Sequence, residues 1–356
     1  MNTFRAKDLL ERIYESKAPS VSDLEQALSF EREEEMRALF DFADKVRKDY
    51  CGNGIFLRGI IEFSNHCIRE CFYCGINKLN RKLERYSMDK GQLLEAVSHL
   101  ASCGIKTAVL QSGENPFLDA SWLEEIIKEI KSRFDMAITL SAGERDAKDY
   151  ELWKKAGAER YLLKIETSDQ DLYSSMHPGM SFKKRLECLE ILKGLDYQVG
   201  SGNIIGLPAQ TVKTIAQDIF FFKEHDFDMI GIGPFIPHPE TFFREEKMGQ
   251  ARMVLKTLAL TRIVTKNTHL PSTTALGSLE KDYRLEGLKC GANVLMPNFT
   301  PQSCRRLYEI YPHKRCVSEA KGPCNIYMDE TAKSIGRFID YSKGDSLKKE
   351  SVGLNV

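Results

Sequence analysis

The sequence predicts an α/β fold, a (β/α)8 TIM-type barrel preceded by a helical N-terminal extension. Three observations carry that reading. Eight short apolar runs alternate with amphipathic helical stretches between residues 55 and 296, the rhythm of repeated βα units. The runs are close to continuously apolar, as strands of a parallel sheet buried on both faces must be. Eight units in about 240 residues match a closed barrel. An open doubly wound sheet is the alternative, because strand order is not written in the sequence.

The elements follow in order. Residues 1–52 read as a helical extension: Leu9, Leu10 and Ile13 have helical spacing after Asp8, and Ser22-Asp23 caps a second short helix. A longer helix over 30–50 carries apolar Met36, Leu39, Phe40, Phe42, Ala43 and Val46. Strand candidates run over 55–63, 107–111, 136–141, 160–166, 198–205, 229–235, 270–274 and 293–296. Helical stretches separate them at 88–103, 121–134, 147–156, 170–194, 211–225, 250–266 and 279–289. Gly104, Gly157 and Gly291 follow helical stretches, where a left-handed residue closes the last turn. The barrel is expected over 53–300. Residues 301–356 should pack on it as a C-terminal segment, with the polar end from Ser342 frayed.

The 356 residues include 51 Lys and Arg against 51 Asp and Glu, a formal net charge of +0. That balance offers nothing to nucleic acid or to an anionic membrane surface. No apolar run reaches the length of a membrane span, and the first residues lack the continuous apolar stretch of a signal peptide. Ten cysteines lie far below disulfide-scaffold density, so a cytoplasmic chain with reduced thiols is expected.

Three of those thiols stand together after the first strand, in Cys67-Ile68-Arg69-Glu70-Cys71-Phe72-Tyr73-Cys74. Three thiolates on one short loop can hold three irons of a [4Fe–4S] cube and leave the fourth iron without a protein ligand. An open metal position can chelate a small molecule. The alternatives are a zinc site or three unrelated thiols. Zinc would want a fourth ligand, and His66 is too close to Cys67 to close a tetrahedron easily.

This Cys-x3-Cys-x-Tyr-Cys pattern resembles the signature of the radical S-adenosylmethionine (SAM) superfamily. The resemblance implies a cluster whose open iron binds SAM, and whose reduced form cleaves it to a 5′-deoxyadenosyl radical. A finer resemblance, to the HydE family of [FeFe]-hydrogenase maturases, extends from about residue 41 to residue 324. It is carried by Ile60-Ile61-Glu62-Phe63-Ser64-Asn65, Val109-Leu110-Gln111-Ser112-Gly113-Glu114, Gly206-Leu207-Pro208 and His225-Asp226-Phe227-Asp228. The run Gly231-Ile232-Gly233-Pro234-Phe235-Ile236-Pro237-His238-Pro239, Thr273-Thr274-Ala275 and Met296-Pro297-Asn298 continue it. Biotin synthase and methylornithine synthase share the architecture at greater distance.

The resemblance implies site residues. Cys67, Cys71 and Cys74 would bind the cluster, and Tyr73, Gln111, Ser112, Glu114, Glu166, Arg185 and Gly206 would contact SAM. Arg58, Lys164, Thr273, Thr274, Met296, Tyr308 and Tyr311 would line the substrate cavity. Read from the residues alone, 111–114 ends a strand where barrel enzymes keep their chemistry, but equally fits a turn with a solvated Glu114. Strand alternation puts Lys164 and Glu166 on one inward face, where buried charges need partners or a ligand. Arg185 suits a carboxylate, yet most helix arginines are solvated. The glycines from Gly200 to Gly206 could open room for adenine, and Met296, Tyr308 and Tyr311 equally suit core packing.

The chain also departs from the family pattern. Where HydE-like chains read Arg-His-Glu, this one has Lys164-Ile165-Glu166, which keeps the charge but loses the planar fork. That leaves radical chemistry intact and opens the choice of substrate. Cys316-x7-Cys324 lacks a third cysteine, with Tyr327 in its place, so no stable second cluster is expected. Cys51, Cys103, Cys188, Cys290 and Cys304 read as buried thiols outside the strands. The implied function is a SAM-cleaving enzyme acting on a small cysteine-bound iron–carbonyl–cyanide unit, served by an electron donor and other hydrogenase maturases. The alternatives are a HydE-like enzyme acting on another small molecule such as an amino acid, and a non-catalytic metal-binding protein.

Overall fold

The structure, a computed structural model, describes residues 3–315 and 324–348. Three helices come first: α1 Thr3–Glu15, α2 Val21–Leu28 and α3 Glu33–Cys51. Ser20 caps α2 by accepting from the Asp23 amide, which satisfies a donor that no helical carbonyl can reach. The extension is fastened to the rest by Lys256, whose buried ammonium donates to the Leu28 and Phe30 carbonyls. A cation on the last carbonyls of a helix satisfies acceptors the helix leaves open.

All strand pairs are parallel. Strands β2 Gly59–Ser64, β3 Thr107–Ser112, β4 Ala137–Ser141, β5 Arg160–Leu162, β6 Gln198–Ile205 and β7 Met229–Pro234 form a six-stranded sheet in chain order. Strands β1 Gly54–Leu57, β8 Pro271–Ser272, β9 Val294–Leu295 and β10 Phe338–Asp340 form a second sheet in the order β10-β1-β9-β8. Single bridges link the sheets at two places, Met229 to His269 and Ile60 to Asn298. Helices α4 Lys90–Ser102, α5 Ala120–Arg133, α6 Ala147–Ala156, α8 Phe182–Gly194, α9 Val212–Glu224 and α10 Ala251–Thr265 bury apolar faces in the same core as the strands.

Several details differ from the sequence reading: the second helix is capped by Ser20 and not by Ser22-Asp23, and the helix expected over 279–289 spans only Arg284–Lys289. The strand expected over 55–63 is interrupted at Arg58, giving β1 and β2. The strand expected over 160–166 keeps regular pairing to Leu162, shifts by one residue against its neighbour and bridges again at Glu166, which holds a left-handed φ of 65°. The helix expected over 170–194 breaks into α7 Gln170–Met176 and α8, with the turn dipeptide Pro178-Gly179 between them. The polar end expected to fray is tied down as far as Lys348. Asp345 accepts from Arg160, Gly344 from Arg58 and Phe227 from Lys348. Cys316 lies outside the described residues, as do the side chains of Cys324 and Tyr327.

Candidate active site

The loop after β2 is built by hydrogen bonds. Asn65 is fully buried and donates to the carbonyls of Glu84 and Leu307, while its own carbonyl accepts from the Tyr86 amide. The Arg85 guanidinium donates to the carbonyls of Asn65, Ile76 and Asn77 at 2.6–2.8 Å. Asn77 and Asn80 donate to the carbonyls of Cys74 and Gly75. A loop that would otherwise carry unpaired carbonyls is thereby fixed in one conformation. Gly113 makes room for it, since a Cβ there would stand 2.4 Å from the His66 carbonyl oxygen and 2.8 Å from the Cys67 Cβ.

Cys67, Cys71 and Cys74 line a cavity of about 360 Å³. Burial pushes all three thiols up from their ordinary range, Cys71 to about 12, with neighbouring thiols adding to it at Cys71 and Cys74. A bound metal reverses that preference by taking the thiolate form. Beside them, Tyr73 Oη lies 2.9 Å from His177 Nε2, and His177 Nδ1 lies 2.8 Å from the Tyr173 carbonyl. Burial holds His177 down at about 3, so its ring is neutral, with Nδ1–H donating to that carbonyl and Nε2 accepting from Tyr73.

A ring of four charges flanks the thiols. Arg69, inside the cysteine loop, donates to Glu114 and to Glu144 at 3.1 Å. Arg185 donates to Glu144 at 2.8 Å and to the Lys164 carbonyl at 3.1 Å, with Glu114 3.8 Å away. Burial by itself would lower both arginines. Glu114 leads the opposing effects at Arg69, and Tyr173, Glu144 and Glu114 lead them at Arg185, so both stay above the ordinary value. Such a ring can exchange partners with the ammonium and carboxylate of an amino-acid ligand.

Two further ion pairs face the same cavity. Lys164 Nζ lies 2.8 Å from Glu166 Oε2. Glu62, on the same strand face as Ile60, pairs with Lys314 and accepts from Asn298 and Thr300.

The cavity brings together most of the residues singled out from sequence: Cys67, Cys71, Tyr73, Cys74, Gln111, Ser112, Glu114, Lys164, Glu166, Arg185, Thr273, Thr274, Met296, Tyr308 and Tyr311. Two of the singled-out residues stand apart from this lining. Arg58 is buried at the opposite end of its strand, donating to Met229 Sδ and the Gly344 carbonyl, and takes no part in the cavity. Gly206 does not line the cavity either; a Cβ there would stand 2.4 Å from the Gly249 Cα, so its role is close backbone packing. Sequence reasoning missed Glu62, Arg69, Arg85, Glu144, His177 and Lys314. Of the five thiols read as buried, Cys188 and Cys290 are, while Cys51, Cys103 and Cys304 are half-buried.

A parallel α/β fold with three cysteines on the loop after its first strands, facing a charged cavity, defines a class of enzyme. Residues 61–256 match the radical SAM superfamily, and the chain belongs to that superfamily. It is therefore a SAM-cleaving enzyme that acts on a small molecule. Within the superfamily the homology is to HydE-type maturases. The [FeFe] hydrogenase maturase subunit HydE of Thermotoga maritima is 45% identical over 314 residues, 88% of this chain and 90% of that one. The 3-methylornithine synthase of Methanosarcina acetivorans is 29% identical over 287 residues, 80% of this chain and 81% of that one. Among solved structures, methylornithine synthase PylB superposes with a TM-score of 0.82 at 23% identity, covering 97% of this chain and 99% of that one. The maturase HydG gives 0.82 at 18% identity, covering 96% and 77%.

Superfamily membership implies a [4Fe–4S] cluster and SAM. The donor set fits. The three half-buried thiols line one cavity, and Gly113 leaves the space beside Cys67 that a side chain would fill. Among the described residues no three Cys, His, Asp or Glu side chains converge on a single metal ion.

Proposed function

We propose that this enzyme is a HydE-type maturase. It would act on a small iron-bound unit destined for the [FeFe]-hydrogenase active site. The single observation that carries the reading is the 45% identity to the Thermotoga maritima HydE subunit over nearly the full length of both chains. We read the two sheets as one closed (β/α)8 barrel, a view supported by the bridges Met229–His269 and Ile60–Asn298 between them.

In this reading Cys67, Cys71 and Cys74 hold three irons of the cluster. When bound, the reduced cluster supplies the electron that cleaves the SAM sulfonium to a 5′-deoxyadenosyl radical. The chain's own residues do the rest. Glu114 and Arg185 orient the two charged groups of the SAM amino-acid end, exchanging the bonds they now make within the ring. Tyr73 is held by neutral His177 beside the cysteines. Glu166 takes the nucleoside side, and Tyr308, Tyr311 and Lys314 close the cavity above the substrate against water. Thr273, Thr274 and Met296 shape its wall. An electron donor and the other maturases are the partners this function needs, and we assign it to the cytoplasm. No helix of the described residues is long and apolar enough to cross a membrane.

A second reading, an enzyme acting on an amino acid, is favoured by one observation. The Lys164–Glu166 and Lys314–Glu62 pairs put both signs of charge on the cavity wall, as a zwitterion would need. An in vitro hydrogenase maturation assay, run with and without this protein on an iron-loaded and reduced sample, tests the choice. Hydrogenase activity that depends on the protein is the expected result. SAM cleavage without maturation would favour the second reading, and no 5′-deoxyadenosine at all would remove both.

A further inference from the structure

We infer that Asp218 is a positioning residue for Glu166, acting from behind the cavity on the backbone that presents this carboxylate. The inference rests on the reading that Glu166 contacts SAM. Asp218 sits midway along α9 and is fully buried. Its Oδ1 accepts from the Ser168 amide at 2.6 Å, the Ser168 hydroxyl at 2.7 Å and the Thr167 hydroxyl at 3.3 Å. Its Oδ2 accepts from Asn203 Nδ2 at 2.9 Å. These four donors bracket Glu166 on both sides.

Residues 167 and 168 follow Glu166 directly. Asn203 is its bridge partner across the strand gap, where the Glu166 amide donates to the Gly202 carbonyl and the Ile204 amide to the Glu166 carbonyl. The bracket matters because Glu166 holds a φ of 65°, a region that residues with a Cβ adopt only when their surroundings impose it. The side chain so presented faces the cavity and pairs with Lys164 Nζ, 2.8 Å from its Oε2. Lys164 is held by the same frame, since it donates to the Asn203 carbonyl at 3.3 Å.

Burying a lone carboxylate is unfavourable, and burial pushes Asp218 up to about 6 even against its hydrogen bonds. An apolar side chain on α9 would pack there without that cost. A carboxylate is used because it can gather a backbone amide, two hydroxyls and an amide side chain onto one group.

The test measures the SAM dissociation constant by equilibrium dialysis on iron-loaded protein, with iron content and Tm recorded for each variant. Asp218→Ala should weaken SAM about tenfold, the size of one charge-assisted hydrogen bond, with iron content unchanged. Asp218→Asn should stay within about threefold, because its Oδ1 keeps three donors and the Asn203 amide can turn its unpaired Oδ1 to the new NH2. The neighbouring core change Ile219→Val should lower Tm and leave SAM binding as it was. If Asp218→Ala does not load iron, Thr167→Ala/Ser168→Ala strips the hydroxyls and should weaken SAM about threefold. Native binding in the variant that loads, or equal weakening by Ile219→Val, overturns the positioning role. Glu166→Gln separates the two ideas: loss there with none at Asp218→Ala overturns positioning alone. No loss at Glu166 overturns the underlying contact and this inference with it.

Discussion

Lys164 is the residue at which substrate choice is most exposed to test. Its ammonium lies 2.8 Å from Glu166 and donates to the Asn203 carbonyl, so part of its charge is already used by the protein. An arginine would engage Glu166 with one edge and turn a second pair of donors into the cavity. Lys164→Arg should therefore lower KM for an anionic substrate about tenfold, the worth of an added charge-assisted hydrogen bond, and change 5′-deoxyadenosine release less. A change in 5′-deoxyadenosine release as large as the change in KM would place Lys164 at SAM and not at the substrate. The three cysteines were legible because their chemistry is local in the chain. The partners Glu62 and Lys314, which meet across 252 positions, were not, because only the folded chain brings them together. Arg58 does not line the cavity although its partner Met229 does; its contacts to Met229 and to the Gly344 carbonyl lie 171 and 286 positions away and leave no local signal.

At the scale of elements, the loop from His66 to Asn80 behaves as one rigid piece, because Arg85, Asn65, Asn77 and Asn80 satisfy its carbonyls from within and around it. Gly113 is where the next strand end meets that piece. In Gly113→Ala the new methyl must displace the His66 carbonyl and the Cys67 Cβ, neither of which is the end of a flexible side chain. The expected result is a folded protein, with unchanged far-UV circular dichroism, that retains well under half of its iron after anaerobic reconstitution. Full iron loading would mean that the loop can shift without disturbing its thiols. In the sequence this glycine stands only within 111–114, a strand end or a turn. Its contact with the cysteine loop is tertiary and leaves no local signal. Elements with strong periodicity were read closely, as with β6 at 198–205 and α6 at 147–156. The failures fall where a local conformation overrides the pattern, at Arg58, at Glu166 and at Pro178-Gly179.

Across the whole molecule, chemistry and closure occupy opposite ends of the strands. The C-terminal ends carry the cysteine loop and the cavity. The other end holds two buried arginines, Arg58 and Arg160, and His269, with Arg58 and His269 pushed well below their ordinary values by burial first and by neighbouring arginines next. The segment 343–346 closes this end. Arg160 donates to the Lys343 carbonyl and to Asp345, Arg58 to the Gly344 carbonyl, and His269, neutral, to the Asp345 carbonyl. Thr107 donates to the Lys343 carbonyl as well. The Asp345 carboxylate is largely exposed, so its charge contributes little; the backbone carbonyls matter because they satisfy donors that would otherwise be buried alone. Truncation after Tyr341 orphans those donors at about 1–3 kcal/mol for each one that water does not reach. A net loss of at least about 2 kcal/mol should follow, lowering Tm by several degrees in a chain of this size. Because none of the hydrogen bonds of residues 343–346 reaches a residue that lines the cavity, the SAM dissociation constant of the truncated, iron-loaded protein should match that of the full chain. An unchanged Tm would show that water replaces these carbonyls freely. Weakened SAM binding at normal iron content would show instead that the two ends of the strands are coupled.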